Sequence, residues 1–203
     1  MPIQPSAVPA EAVNVARGSL IDEVGQSALT AFRVARDANL VSLSLPHRIA
    51  VLSAEDIRFG VDPRNVAQLG NWRFLLYGRK AARKNSHWDI SGAVTVSLDE
   101  KEKEYKVTGL ERGLLVAWFE QAVRYAEARD RVRDGAYEVL LLIAPSIYVS
   151  ALWLRDQKGT EDLFIVLPYT PPPFAPAEPI STEEFVQSLV ASKEKLSRRG
   201  HDP

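Results

Sequence analysis

In the pentapeptide SHWDI, His87 and Asp89 stand two residues apart, so an extended chain projects both side chains from one face. An imidazole beside a carboxylate is a minimal pair for proton transfer, or two ligands of a metal ion. Two ligands do not complete a metal site, and the other histidines stand apart: His47 lies between Pro46 and Arg48, and His201 in the terminal SRRGHDP. A solvated strand entry accounts for His87 and Asp89 more simply. The carboxylate pairs Glu55–Asp56 and Asp99–Glu100 are explained by helix capping and by a charged turn. An acid or base among them would need an apolar pocket to raise its pKa, and no neighbouring residues supply one.

The densest charge lies in GRKAARKNSHW, where Arg79, Lys80, Arg83 and Lys84 sit between Tyr77 and Trp88. Cations flanked by aromatics neutralise phosphates and stack on bases, so this window is a candidate contact for nucleic acid, and also for a protein or a lipid headgroup. A loop between two strands also carries charge merely to stay hydrated, and that is the expected role. Phosphate-cradling glycine loops, G-x-S-x-G elbows, H-E-x-x-H helices and EF-hand loops are absent from the sequence. No cofactor and no catalytic residue is expected.

Composition narrows the classes further. The 203 residues are 46% hydrophobic and 25% charged, with a net charge of -1. So balanced a chain has no global field for nucleic acid or anionic membranes. With no cysteine, disulfides, thiolate zinc sites and thiol nucleophiles are excluded. The N-terminal residues show no secretory pattern, and a cytoplasmic location is expected. The most apolar stretch, YEVLLLIAPSIYVSALWLRD, is free of charge from residue 139 to 154. That is shorter than the roughly 20 residues of a spanning helix, and Pro145 interrupts it. Two strands joined by a bend at Pro145 fit better.

Around these residues the periodicities predict the elements. Pro2, Pro5 and Pro9 among small side chains read as an extended arm over residues 1–24. A helix is predicted from Ser27 to Asn39, and a short strand over Arg48–Leu52, followed by Ser53 and Asp56 in capping-box spacing. Asp62 before Pro63 opens a turn of helix. Trp72, Phe74 and Leu76 alternate with Arg73, and Val94, Val96 and Leu98 with Ala93, Thr95 and Ser97. The half-polar strands near 93–98 and 104–108 are expected toward the sheet edge, one face in solvent. Leu115, Trp118, Phe119, Ala122 and Ala126 follow helical spacing. The strands over 146–154 and 162–168 are apolar on both faces and belong in the sheet centre, with Trp153 buried. Ser181 and Glu184 form a capping box that starts a final helix burying Phe185, Leu189 and Leu196.

This order predicts an α+β fold of a single domain: a mainly antiparallel sheet of about five strands with packed helices. A flexible N-terminal arm (1–24), a core domain (25–169) and a Pro-rich connector with a C-terminal helix (170–203) complete it. In the connector PYTPPPFAPAEPI, Phe174 is the candidate anchor. The function expected is non-enzymatic protein binding or assembly, with a protein partner or self-association. A nucleic-acid module using residues 79–84 is the alternative. A small-molecule pocket near Trp118, Trp153 and Tyr148 is the third reading, although those aromatics are expected in the core.

Overall fold

The computed structural model describes residues 3–4, 6–20, 41–79, 88–168 and 178–199. The predicted helix from Ser27 to Asn39 lies outside them, as do Lys80, Arg83, Lys84, His87, Phe174 and His201. Among the described residues there are nine strands, β1 (Ile3–Gln4), β2 (Val41–Val51), β3 (Gln68–Arg79), β4 (Trp88–Asp99), β5 (Glu104–Glu111), β6 (Tyr137–Ala144), β7 (Val149–Asp156), β8 (Leu163–Val166) and β9 (Ile180–Ser181). Five α-helices accompany them: α1 (Ala10–Gly18), α2 (Pro63–Val66), α3 (Leu114–Glu127), α4 (Asp130–Arg133) and α5 (Thr182–Arg199). The expectation of about five strands is therefore corrected to nine, within a fold that is broadly α+β. Pairing is mixed: β1 and β2 both run parallel to β6, whereas β3–β4, β4–β5, β6–β7, β7–β8 and β8–β9 are antiparallel. No helix among the described residues is long and apolar enough to cross a membrane.

The chain forms two compact units, and β2, β3 and α3 run on from one into the other. The first unit comprises residues 1–4, 48–70 and 121–203. In it β6, β7, β8 and β9 pair in antiparallel succession, and the second half of β2 adds to β6 in parallel. The bend expected at Pro145 is a 3-10 turn, Pro145–Ile147, that leaves Tyr148 at φ 56 before β7 begins. β6 and β7 bury both faces: Leu140, Leu142, Ala151 and Trp153 look one way, and Val139, Leu141, Leu152 and Leu154 the other. On the first of these faces α5 lays Phe185, Leu189 and Val190. Phe185 stacks on Phe164 at 4.2 Å, and Phe164 in turn on Trp153 at 5.6 Å.

The capping box behaves as its sequence requires. The Ser181 amide and hydroxyl both donate to a Glu184 carboxylate oxygen at 2.9 Å, and the Glu184 amide donates back to the Ser181 hydroxyl. Ser53 and Asp56 make the same reciprocal bonds on a turn rather than on a helix. Lys193, three turns into α5, fastens that turn by donating to the carbonyls of Ala54 at 2.5 Å and Ile57 at 3.0 Å. Helix α5 is thus attached at its start to β8 through β9 and midway to the 53–57 segment.

The second unit comprises residues 5–47 and 71–120. Here the expected flexible arm is corrected: residues 10–18 are helix, and Ala12 and Ala16, four residues apart, are completely buried. They pack with Leu20 against Phe74, Leu76, Val94 and Val96. The prolines precede the helix, with Pro9 as its N-cap, and the small Ala face lets the helix approach the strands closely. Strand β5 is the outer neighbour of β4 and alternates between exposed and partly buried residues, as expected of an edge. Strand β4 is not half-solvated, because Ala93 and Thr95 are buried as well as Val94 and Val96. Gly92 explains how β4 and β5 come so close: a Cβ there would fall 2.6 Å from the Glu111 carbonyl oxygen.

Candidate binding groove

Asp62 starts α2 by accepting a hydrogen bond from the Arg64 amide at 2.9 Å, with Pro63 in the first helical position. That single turn aims the Arg64 side chain at the β7–β8 hairpin. Its Nε donates to Asp162 Oδ2 at 2.8 Å, and Nη2 donates both to Asp162 Oδ1 and to the Asp156 carbonyl, the latter at 2.8 Å. This is the two-pronged geometry that guanidinium and carboxylate favour. Asp162 is 3% exposed. It also accepts from Trp153 Nε1 at 2.9 Å and from the Asp156 amide at 2.8 Å. The hydrogen bond from Arg64 to Asp162 raises the Arg64 pKa against the effect of burial, so the guanidinium keeps its charge.

The hairpin turn is organised by Asp156. Its carboxylate accepts from the backbone amides of Lys158 at 3.1 Å, Thr160 at 2.7 Å and Glu161 at 3.3 Å. Burial pushes this carboxyl up, but the Thr160 and Lys158 amides, the Thr160 hydroxyl and the Glu161 amide outweigh it and hold the pKa below the usual range. Gly159, at φ +76, supplies the left-handed residue the turn needs.

Between this hairpin, the residue 59–64 segment and the start of α5 lies an open groove of about 640 Å³. Its lining includes Phe59, Asp62, Arg64, Glu161, Glu183 and Val186. Phe59 is 68% exposed, although its neighbour Ile57 is buried in the core. Asp162 accepts from both Arg64 and the buried Trp153, which ties this side of the groove to the core. The rim is polar, with Glu161 accepting from Arg131 at 2.5 Å and Glu183 from Gln187 at 3.0 Å.

A second polar cluster, buried at His47, Arg73 and Thr95, lies in the other unit. His47 is 0% exposed and stacks on Phe119 at 4.3 Å. Its Nδ1 donates to the Leu45 carbonyl at 2.7 Å, leaving Nε2 as an acceptor with no hydrogen-bond partner. Burial drives its pKa down to about 3, with the Leu45 bond opposing and the Arg73 charge adding to the fall. Arg73 is 1% exposed and donates to Glu111 at 2.5 Å. Thr95 faces Arg73 across the β3–β4 ladder, and its hydroxyl has no partner either. This cluster carries a neutral imidazole and a buried guanidinium whose partner, Glu111, reaches the surface.

The candidate side chains of the sequence lie outside the described residues. Arg79 ends β3, but its side chain lies outside the described residues, with Lys80, Arg83, Lys84 and Phe174. Trp153 is core at 1% exposure, as expected, whereas Tyr148, also expected in the core, is 75% exposed. The residues that periodicity passed over are Phe59, Arg64, Asp162 and His47. One local signal pointed to the groove: Asp156 three residues before Gly159 is turn chemistry at the end of a two-sided apolar strand. Arg64 offered none, because its partner is 98 residues away. Among the described residues no three His, Cys, Asp or Glu side chains gather as a metal-binding group. No protein-family model matches the sequence, and neither a curated protein nor a solved structure matches it significantly.

Proposed function

We propose that this chain is a non-enzymatic binding module that seats a segment of a protein partner in the groove beside Phe59. The observation that carries the reading is Phe59 itself, 68% exposed at the mouth of a concave site of about 640 Å³. An aromatic ring left in water beside side chains already bonded is a typical docking anchor, because little order must be gained on binding. The lining residues Arg64 and Asp162 are already committed to each other, and Asp162 also to the buried Trp153, which suits them to shape rather than to reaction. The reading keeps the protein in the cytoplasm, as its sequence predicts.

Selection of a phage-displayed random peptide library against the full chain tests this. Enriched peptides should bind the full chain and lose affinity about tenfold or more to Phe59→Ser and Gln187→Arg, an amount typical of one anchor contact. Both substitutions are on exposed side chains, so thermal unfolding should be unchanged. Peptides that bind both variants as well as the parent, or a selection that enriches none, would overturn the reading.

A further inference from the structure

We infer that the groove recognises a lysine- or arginine-bearing segment of another protein, taking its cationic head among Asp62, Glu161 and Glu183 and its apolar stem against Phe59. This rests on the docking reading above and names the chemistry of the occupant. The lining holds four carboxylates, Asp62, Glu161, Asp162 and Glu183, against a single guanidinium, Arg64. Arg64 and Asp162 cancel each other, and both Asp162 oxygens are fully engaged by Arg64, Trp153 and the Asp156 amide. The other three carboxylates each spend an oxygen on a local bond: Asp62 to the Arg64 amide, Glu161 to Arg131 and Glu183 to Gln187. Each has a second oxygen to offer. They come from three separate stretches of chain, so they surround a ligand instead of forming one charged run.

An anion is disfavoured at the same place for a structural reason. At the start of α5, where amides attract negative charge, the Glu184 carboxylate already takes the Ser181 amide and hydroxyl, and the Glu184 amide donates to that hydroxyl. The carboxylate pKa is lowered by the Ser181 amide and hydroxyl, so it remains a fixed negative charge. Phe59 adds attraction for a cation, since the face of a phenyl ring is electronegative. A single ammonium or guanidinium fills only part of about 640 Å³. A peptide that carries both the cation and apolar neighbours uses the carboxylates, Phe59 and Val186 together.

Fluorescence anisotropy on the full chain with three labelled peptides of equal length is the test: one alternating Lys/Arg with Leu, one with Gln in place of the cations, and one with Glu. Spermine serves as competitor. The basic peptide should bind about tenfold or more tighter than the Gln peptide, weaken as salt rises, and lose that advantage in the double variant Glu161→Gln, Glu183→Gln. Both glutamates are at the surface, and an unchanged melting temperature certifies the fold of the variant. Gln or Glu peptides that bind as well as the basic one, yet lose binding with Phe59→Ser, would sink the cation preference while leaving the docking reading intact. Spermine displacing the basic peptide at equal affinity would show a small-cation site instead of a protein-binding one. Failure of every peptide to sense Phe59→Ser would overturn both.

Discussion

Trp153 Nε1 donates to Asp162 Oδ2 at 2.9 Å, so a large, fully buried side chain in the first unit shares a carboxylate with the Arg64 guanidinium of the groove lining. Core and surface site are therefore one bonded structure, and disturbing either end should be felt at the other.

Asp162→Ala should be among the costliest polar substitutions in the chain. It strands the Trp153 N–H, the Asp156 amide and the Arg64 charge at once, and a loss of about 3 kcal/mol is expected from breaking such a buried pair. Trp153→Phe keeps the apolar ring and removes only the donor, for about 1 kcal/mol plus a small cavity, whereas Trp153→Ala should cost about 3–5 kcal/mol. Urea unfolding ranks the three. Equal stability of Asp162→Ala and the parent would show that the carboxylate is not a keystone.

His47 should make the protein acid-labile. Its folded pKa of about 3 lies below the ordinary 6.5, so across that interval the unfolded chain binds a proton that the folded chain does not. Stability contributed by the neutral imidazole is present above about pH 6.5 and is lost as pH falls toward 3. The slope is up to about 1.4 kcal/mol per pH unit, which amounts to about 2 kcal/mol near pH 5. Replacing His47 by Phe should flatten this part of the profile, measured as urea midpoints between neutral and mildly acidic pH. A variant that keeps the parental slope would assign the acid sensitivity elsewhere.

The Ala face of α1 allows a sharp test of its seat. Ala16→Leu adds three carbons where the residue is 0% exposed and packed in the cluster with Phe74 and Val94. Overpacking there should cost about 1–3 kcal/mol, whereas a free arm would tolerate it. A melting temperature equal to the parent's would mean the helix does not hold this position in solution.

Phe185 fastens α5. It is 0% exposed and lies parallel to Phe164 at 4.2 Å, and Phe185→Ala should cost about 3–5 kcal/mol. Because α5 also forms one wall of the groove, the same variant should weaken the basic peptide described above. Lys193→Met, which keeps the stem but drops the bonds to Ala54 and Ile57, should cost less, about 1–2 kcal/mol. Chemical denaturation followed by tryptophan emission reports both, and full stability of Phe185→Ala would detach the helix from the core.

What the sequence alone determined was local. Ser181 and Glu184, Asp62 and Pro63, the alternation of Val94 and Val96, and the two apolar faces of β7 and β8 were legible because hydrogen bonds and side-chain directions repeat within a few residues. The burial of Trp153 followed from the same alternation. The Ala12–Ala16 face of α1 was hidden by the nearby prolines, which mark where a helix begins as readily as they mark an arm. Strand count and the parallel partnership of β2 with β6 were decided by tertiary structure, since a parallel neighbour leaves no turn between the two strands to announce it. The groove belongs to that second class. Arg64 meets Asp162 across 98 residues of chain, and His47 reads as an ordinary polar residue until strand and helix close over it. Periodicity records which way a side chain points, but solvation and charge partners are set only when distant segments meet, because both depend on everything within a few ångströms in space.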